Sequence, residues 1–238
     1  MPDHIGPSRV VGILGGMGPA ATVDFYDKLV RATPATQDQD HLRVVIWADP
    51  TVPNRHSALL AGGQDPTPWL EEGVQHLMRC GAEILVVPCN TIHAYMSAVV
   101  EGKDLEFISI IDVTVEAVRQ GDPTGRVGLL AADGALASGL YQSEFKDERM
   151  ELVLPSEVSQ AALMKVIYSV KAGKAGSKER RTVVSLLAEL ADSGARTVIA
   201  GCTEVSVLLA QLDVDVRVID PSQALADKTI ERARLVRA

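Results

Sequence analysis

"HLMRCGAEILVVPCNT", residues 76–91, lies without a gap over "ELADSGARTVIAGCTE", residues 189–204, and this match decides the fold. Each stretch leaves a helical pattern, turns at a Gly-Ala corner, runs through an apolar strand and ends in a cysteine with a threonine close behind it. The offset is 113 residues. Two further matches keep the same order: "VGILGGMGPAAT" (11–22) over "VGLLAADGALAS" (127–138) at offset 116, and "ISIID" (108–112) over "VRVID" (216–220) at offset 108. Three ordered matches at nearly one spacing predict a duplicated α/β unit. Short Val/Ile strands resemble one another easily, so the Cys and Gly positions carry the weight.

Working outward, short apolar runs recur at 9–15, 43–50, 83–89, 106–112, 126–132, 150–155, 196–202 and 216–220. Helical patterns such as "WLEEGVQHLMRCG" and "RRTVVSLLAELADSG" stand between most of them. Strands alternating with helices imply mainly parallel sheets covered on both faces. The fold class expected is α/β, two similar domains related by a pseudo-two-fold axis with an active site in the cleft between them. The first lobe is expected over 1–112 plus 219–238 and carries Cys89; the second spans 113–218, its sheet following "GDPTG" (121–125), and carries Cys202. The polar "KAGKAGSKER" (171–180) reads as a surface loop or helix junction.

The chain has 238 residues, 47% of them hydrophobic, enough for one large core or two smaller ones. Its 23 Lys+Arg against 31 Asp+Glu give a net charge of −8, which repels nucleic-acid backbones and anionic lipid. No run approaches the ~20 apolar residues of a membrane span, and residues 1–9 lack the regions of a signal peptide. The expectation is a cytoplasmic protein without nucleic-acid or membrane partners. Three cysteines, Cys80, Cys89 and Cys202, are too few for a disulfide scaffold and read as reduced thiols.

Cys89 and Cys202 each end a strand where a helix begins, the place where open α/β sheets bind ligands. Backbone N–H groups and the helix dipole favour an anion there, which predicts a lowered thiol pKa. Asn90, Thr91 and Thr203 supply short donors suited to a carboxylate. If the lobes face each other, the thiols oppose across one cleft: one thiolate takes a proton from a carbon, and the opposite thiol returns a proton to the other face. Cys80, whose aligned partner is Ser193, reads as inert packing. No CxxC or HExxH spacing supports a metal site. His93 reads as a helix-start residue that orients the cysteine or bonds the backbone.

"GGMGPAAT" satisfies G-x-G-x-x-A after a strand, with Asp49 ending the next strand, and so mimics a dinucleotide fingerprint. The same turn, with Met17 inside it as a substrate-binding candidate, can equally let backbone approach a small carboxylate. Arg55 follows the second strand and can fork onto a second carboxylate; Lys171 ends a helical segment and can do likewise. For both, a solvated surface charge is the alternative reading, and the residues alone do not choose.

"GILGGMGPAAT", "VPCNTIHA", "VKAG" and "AGCTEVSVLL" together resemble the aspartate racemase branch of the aspartate/glutamate racemase family over essentially the whole chain. The resemblance implies two similar α/β domains, a cofactor-independent two-thiol mechanism without pyridoxal phosphate, a small dicarboxylic amino acid as substrate, and a homodimer. By motif position it implies catalytic roles for Cys89 and Cys202, contacts to the α-carboxylate and amino group from Asn90, Thr91 and Thr203, and side-chain carboxylate recognition by Arg55 and Lys171. Two departures stand out. Asn54, Arg55 and His56 replace the usual Asp-Arg-Thr, and Gly134-Ala135 replaces a Gly-Thr turn, whose lost hydroxyl is expected to weaken binding on the second lobe. The rival readings are a glutamate or broad-specificity racemase, a hydantoin racemase or maleate-type isomerase, a non-catalytic small-acid-binding module, and, more distantly, a dinucleotide enzyme.

Overall fold

The computed structural model describes residues 8–121, 125–145, 150–209 and 216–235. Each of the eight apolar runs coincides with a strand, two of which begin one residue earlier than read: β1 (Val11–Gly15), β2 (Val44–Ala48), β3 (Ile84–Val86), β4 (Glu106–Ile108), β5 (Gly125–Leu129), β6 (Met150–Val153), β7 (Ala195–Ile199) and β8 (Arg217–Ile219). They form two four-stranded sheets, ordered β2-β1-β3-β4 and β6-β5-β7-β8, with every pairing parallel. The chain is therefore the expected α/β fold, built from one topology used twice.

Parallel neighbours need crossovers, and helices supply them. The first half carries α1 (Pro19–Ala32), α2 (Arg55–Leu60), α3 (Thr67–Arg79), α4 (His93–Val100) and α5 (Ile110–Gly121). The second carries α6 (Asp133–Ala137), α7 (Leu140–Glu144), α8 (Glu157–Lys171), α9 (Ser177–Asp192), α10 (Thr203–Leu209) and α11 (Pro221–Arg234). The polar stretch at 171–180 falls at the junction of α8 and α9, as read. Of "GDPTG", residues 122–124 lie outside the described residues.

The ladder register tests the internal repeat. Val11 and Gly12 sit beside Ile84 and Leu85, while Val127 and Gly128 sit beside Thr197 and Val198, which reproduces the offsets of 116 and 113 together. The third offset needs correction. Ile84 lies opposite Glu106, and its equivalent Thr197 lies opposite Arg217, so these last strands are 111 residues apart, not 108. The "ISIID" match pairs look-alike letters out of register: β4 stops at Ile108, and Ile110 and Ile111 already form the first turn of α5. Ser109 opens that helix by accepting from the Asp112 N–H (3.2 Å), as Asp220 opens α11 by accepting from the Ser222 N–H (2.9 Å). At offset 111 the helix starts Ile110 and Pro221 also coincide.

These two equivalent helices are exchanged between the halves. α11 packs on α1, β3 and β4 of the first half, whereas α5 reaches β8 and α7 of the second, and the two touch each other. Helix α5 runs unbroken through position 112, and Ile219 belongs to the second sheet. Between the sheets lies a shared core that includes Phe25, Val115, Val118, Leu129, Tyr141 and Leu225. Each fully buried apolar side chain there contributes about 1.5–3 kcal/mol relative to exposure, so the halves are held by an interior. A second cluster, on α8, α9 and α10, contains Cys202; a third, under α3 and α4, contains Cys89. Among the described residues, no helix is long and apolar enough to cross a membrane.

Candidate active site

A cleft of about 270 Å³ opens between the halves, and all eight candidates read from the sequence line it. Met17, Arg55, Cys89, Asn90 and Thr91 come from the first half; Lys171, Cys202 and Thr203 come from the second. Thiols from the two sheets thus face one space. The volume lies just below the roughly 300–1,000 Å³ of drug-sized pockets, which suits a small metabolite.

Cys89 stands in the turn between β3 and α4, one turn short of the helix. Its placement is set by His93, the first residue of α4. His93 Nδ1–H donates to the Cys89 carbonyl (2.9 Å), while Nε2 accepts from the Ile110 N–H (3.1 Å), tying the cysteine turn to the start of α5. Burial pushes the His93 pKa down to about 4, so the ring is neutral, as one acceptor and one donor nitrogen require. The expected orienting role of His93 is what the geometry displays. Next to Cys89, the buried Asn90 accepts a hydrogen bond from Tyr141 Oη (2.6 Å), and its Nδ2 group has no partner among the described residues. A buried amide donor left unpaired costs about 1–3 kcal/mol and is ready for an anionic ligand.

Cys202 directly precedes α10. Its Sγ–H donates to Glu204 Oε2 (3.0 Å), and Thr203 Oγ1 approaches the same oxygen at 3.4 Å. Lys171 Nζ pairs with the other oxygen, Oε1, at 3.4 Å. Burial, then the Glu204 carboxylate, holds the Cys202 thiol well above its ordinary pKa. This reverses the expected lowering, because desolvation and an adjacent anion outweigh one short helix and the Lys171 charge. Lys171 itself is shifted up: burial opposes its charge, but Glu204, Cys89 and Cys202 more than compensate.

Arg55 is not a solvated surface charge. Its Nη1 donates to the Val52 and Pro53 carbonyls (both 3.1 Å) and its Nη2 to the Met17 carbonyl (2.9 Å), which locks the Met17 turn to the loop before α2. The remaining donors of the fork stay available beside the cleft. Gly16 makes this turn possible. Its φ is +91°, and a Cβ would run into the backbone of Asp49. Asp49 accepts from the Thr51 N–H (2.7 Å) and Oγ1 (2.6 Å), closing its own turn. The glycines therefore bring two loops together, and the acidic residue that a dinucleotide ribose needs is already engaged.

The departures from the family pattern resolve differently. Asn54 caps α2 by accepting from the His56 N–H (2.9 Å), so helix start and Arg55 placement survive the change. His56 lines the cleft, and its Nδ1 is buried without a hydrogen-bond partner among the described residues. Ala135 does not line the cleft; it is packed in the core between the sheets. Cys80, expected as packing, is exposed at the end of α3, beyond that helix's buried stripe. Sequence reasoning missed Glu204 and Tyr141. Glu204 is the acid in the first turn of α10, directly after Thr203, and only its two-residue spacing from Cys202 could have drawn attention to it.

Fold and cleft together define a duplicated α/β protein in which two thiols, one from each half, line one small cleft. The sequence model for "Asp/Glu/Hydantoin racemase" matches residues 14–229, and the chain belongs to that family. The aspartate racemase of Picrophilus torridus superposes with a TM-score of 0.84 at 30% identity, with 94% of each chain covered. The "Broad specificity amino-acid racemase RacX" of Bacillus subtilis is 24% identical over 93% of this chain and 96% of that protein. The glutamate racemase of Deinococcus radiodurans is 31% identical over 58% of this chain, a match spanning 48% of that protein. The chain is an amino-acid racemase, an isomerase.

Proposed function

We propose that this racemase interconverts L- and D-aspartate without a cofactor, with Cys89 and Cys202 acting on opposite faces of Cα. The observation that carries this reading is that the two thiols, delivered by equivalent strand ends of different sheets, line one small cleft. The unpaired Asn90 amide, Thr91 and Thr203 receive the α-carboxylate and amino group, where fixed donors stabilise charge that develops on deprotonation. Arg55 and Lys171 supply cations for the side-chain carboxylate, with Met17 at the cleft wall. Aspartate is favoured over a broader set by the similarity to the Picrophilus torridus protein along nearly the whole of both chains.

The homodimer belongs to the same proposal. Val23, Tyr26 and Val30 expose apolar side chains along α1, and Ile46 exposes another on the edge strand β2; a second copy would cover them.

Chiral chromatography of reactions with L-aspartate, L-glutamate and neutral L-amino acids tests the substrate. D-aspartate should form fastest, with glutamate slower by at least about tenfold, roughly 1.4 kcal/mol. Faster turnover of glutamate or of a neutral amino acid would overturn the assignment to aspartate.

A further inference from the structure

The two half-sites are equivalent in topology but not in chemistry. Cys202 donates to a carboxylate that is itself buried, Glu204, at 3.0 Å. Cys89 has no such partner: among the described residues no carboxylate hydrogen-bonds its sulfur, and the residue two positions after it is Thr91. Glu204 is held by two partners at once, the Cys202 thiol on Oε2 at 3.0 Å and Lys171 Nζ on Oε1 at 3.4 Å.

We propose that Glu204 is a positioning residue that keeps the proton on Cys202 in the unliganded enzyme, so that Cys202 enters the reaction as the acid and Cys89 as the base. This deepens the two-thiol reading above and rests on it. Cys89 takes the Cα proton and becomes a thiol, while Cys202 gives its own proton to the opposite face and becomes a thiolate. No proton is gained or lost overall, but the enzyme finishes in the inverse state. That state sets two anions about 3 Å apart, against which the single Lys171 charge is an incomplete counterweight. Exchange of both protons with water restores the resting form. The other charged or titratable groups facing Cys202 are Arg55 on α2 and Tyr141 on α7, which act on it directly or through Lys171.

Because enantiomers are equal in free energy, kcat/KM must be the same in both directions, and this asymmetry cannot appear there. The thiols themselves report it. Wild-type protein without substrate is treated with iodoacetamide across a range of pH. Labelling of Cys89 and Cys202 is followed separately by peptide mass spectrometry, with the exposed Cys80 as reference. The midpoint for Cys202 should lie at least about one pH unit above that for Cys89. Glu204→Gln should lower the Cys202 midpoint by at least about one unit, and Glu204→Asp should restore part of the difference. Coincident wild-type midpoints, a Cys89 midpoint above that of Cys202, or a Cys202 midpoint unmoved by Glu204→Gln would overturn the proposal. If the Gln variant fails to fold, the wild-type comparison alone decides. No turnover is needed, so failure here is distinct from failure to racemise aspartate.

Discussion

Tyr141 Oη donates a 2.6 Å hydrogen bond to Asn90 Oδ1, and this buried pair joins the second half of the chain to the cysteine turn of the first. Burial holds the phenol above its ordinary pKa, so it remains a donor. Tyr141→Phe leaves Asn90 Oδ1 unpaired and frees the amide to turn. Stability in urea should fall by about 1–3 kcal/mol, and KM for aspartate should rise more than kcat falls, since the amide serves the bound carboxylate.

His93 makes the protein acid-sensitive in a definite window. Its folded pKa of about 4 lies below the unfolded value of about 6.5, so the unfolded chain binds more protons between those limits. The stabilisation is complete above pH 6.5 and is lost as pH falls toward 4, by about 3 kcal/mol from this group. Urea midpoints measured from pH 7 to 4 should fall less steeply in His93→Gln than in wild type. Parallel curves would show that the ring is not buried neutral.

Arg55 spans three carbonyls, which a lysine ammonium has too compact a head to do. Arg55→Lys should preserve the charge but loosen the Met17 turn, cutting kcat/KM for aspartate by roughly 10–100-fold, equivalent to about 1.4–2.7 kcal/mol. Steady-state kinetics on purified variant and wild type check this.

Gly16 tests the same turn from the backbone side. Gly16→Ala places a Cβ in contact with Asp49 and forces a non-glycine residue to φ +91°. The loss should be at least about 1–3 kcal/mol in urea denaturation, with activity falling alongside because Met17 and Arg55 shift together.

Val23 addresses assembly. It is 70% exposed on α1, so Val23→Glu should leave the fold intact. Sedimentation velocity should show wild type as a dimer and the variant as a monomer; a monomeric wild type would remove the dimer from the account.

The strands and both cysteines were legible in the sequence because they depend on local pattern: apolar runs of β-branched residues, Gly-Ala corners and a strand end repeated at a fixed offset. Arg55 and Lys171 were legible as positions but not as roles. Only the fold shows that Arg55 is tied to Met17, 38 residues away, and that Lys171 on α8 meets Glu204 on α10. Glu204 was hidden for the same reason, since its burial is produced by α1 and α8 and nothing beside it in the chain announces that. Tyr141 lies in a short helix without periodicity, and its partner is 51 residues distant. The third repeat failed because Ile110 and Ile111 suit a strand as well as a helix start, and only Ser109 marks the boundary.

The central claim, that two thiols act on opposite faces of one carbon, is tested most directly by the reaction of L-aspartate in D₂O, sampled within the first few per cent of conversion. The account predicts deuterium at Cα in essentially all D-aspartate formed while the remaining L-aspartate is still protiated, because each thiol returns only its own proton to its own face. D-aspartate that retains the original hydrogen, or deuterium appearing equally in both enantiomers from the outset, would contradict it.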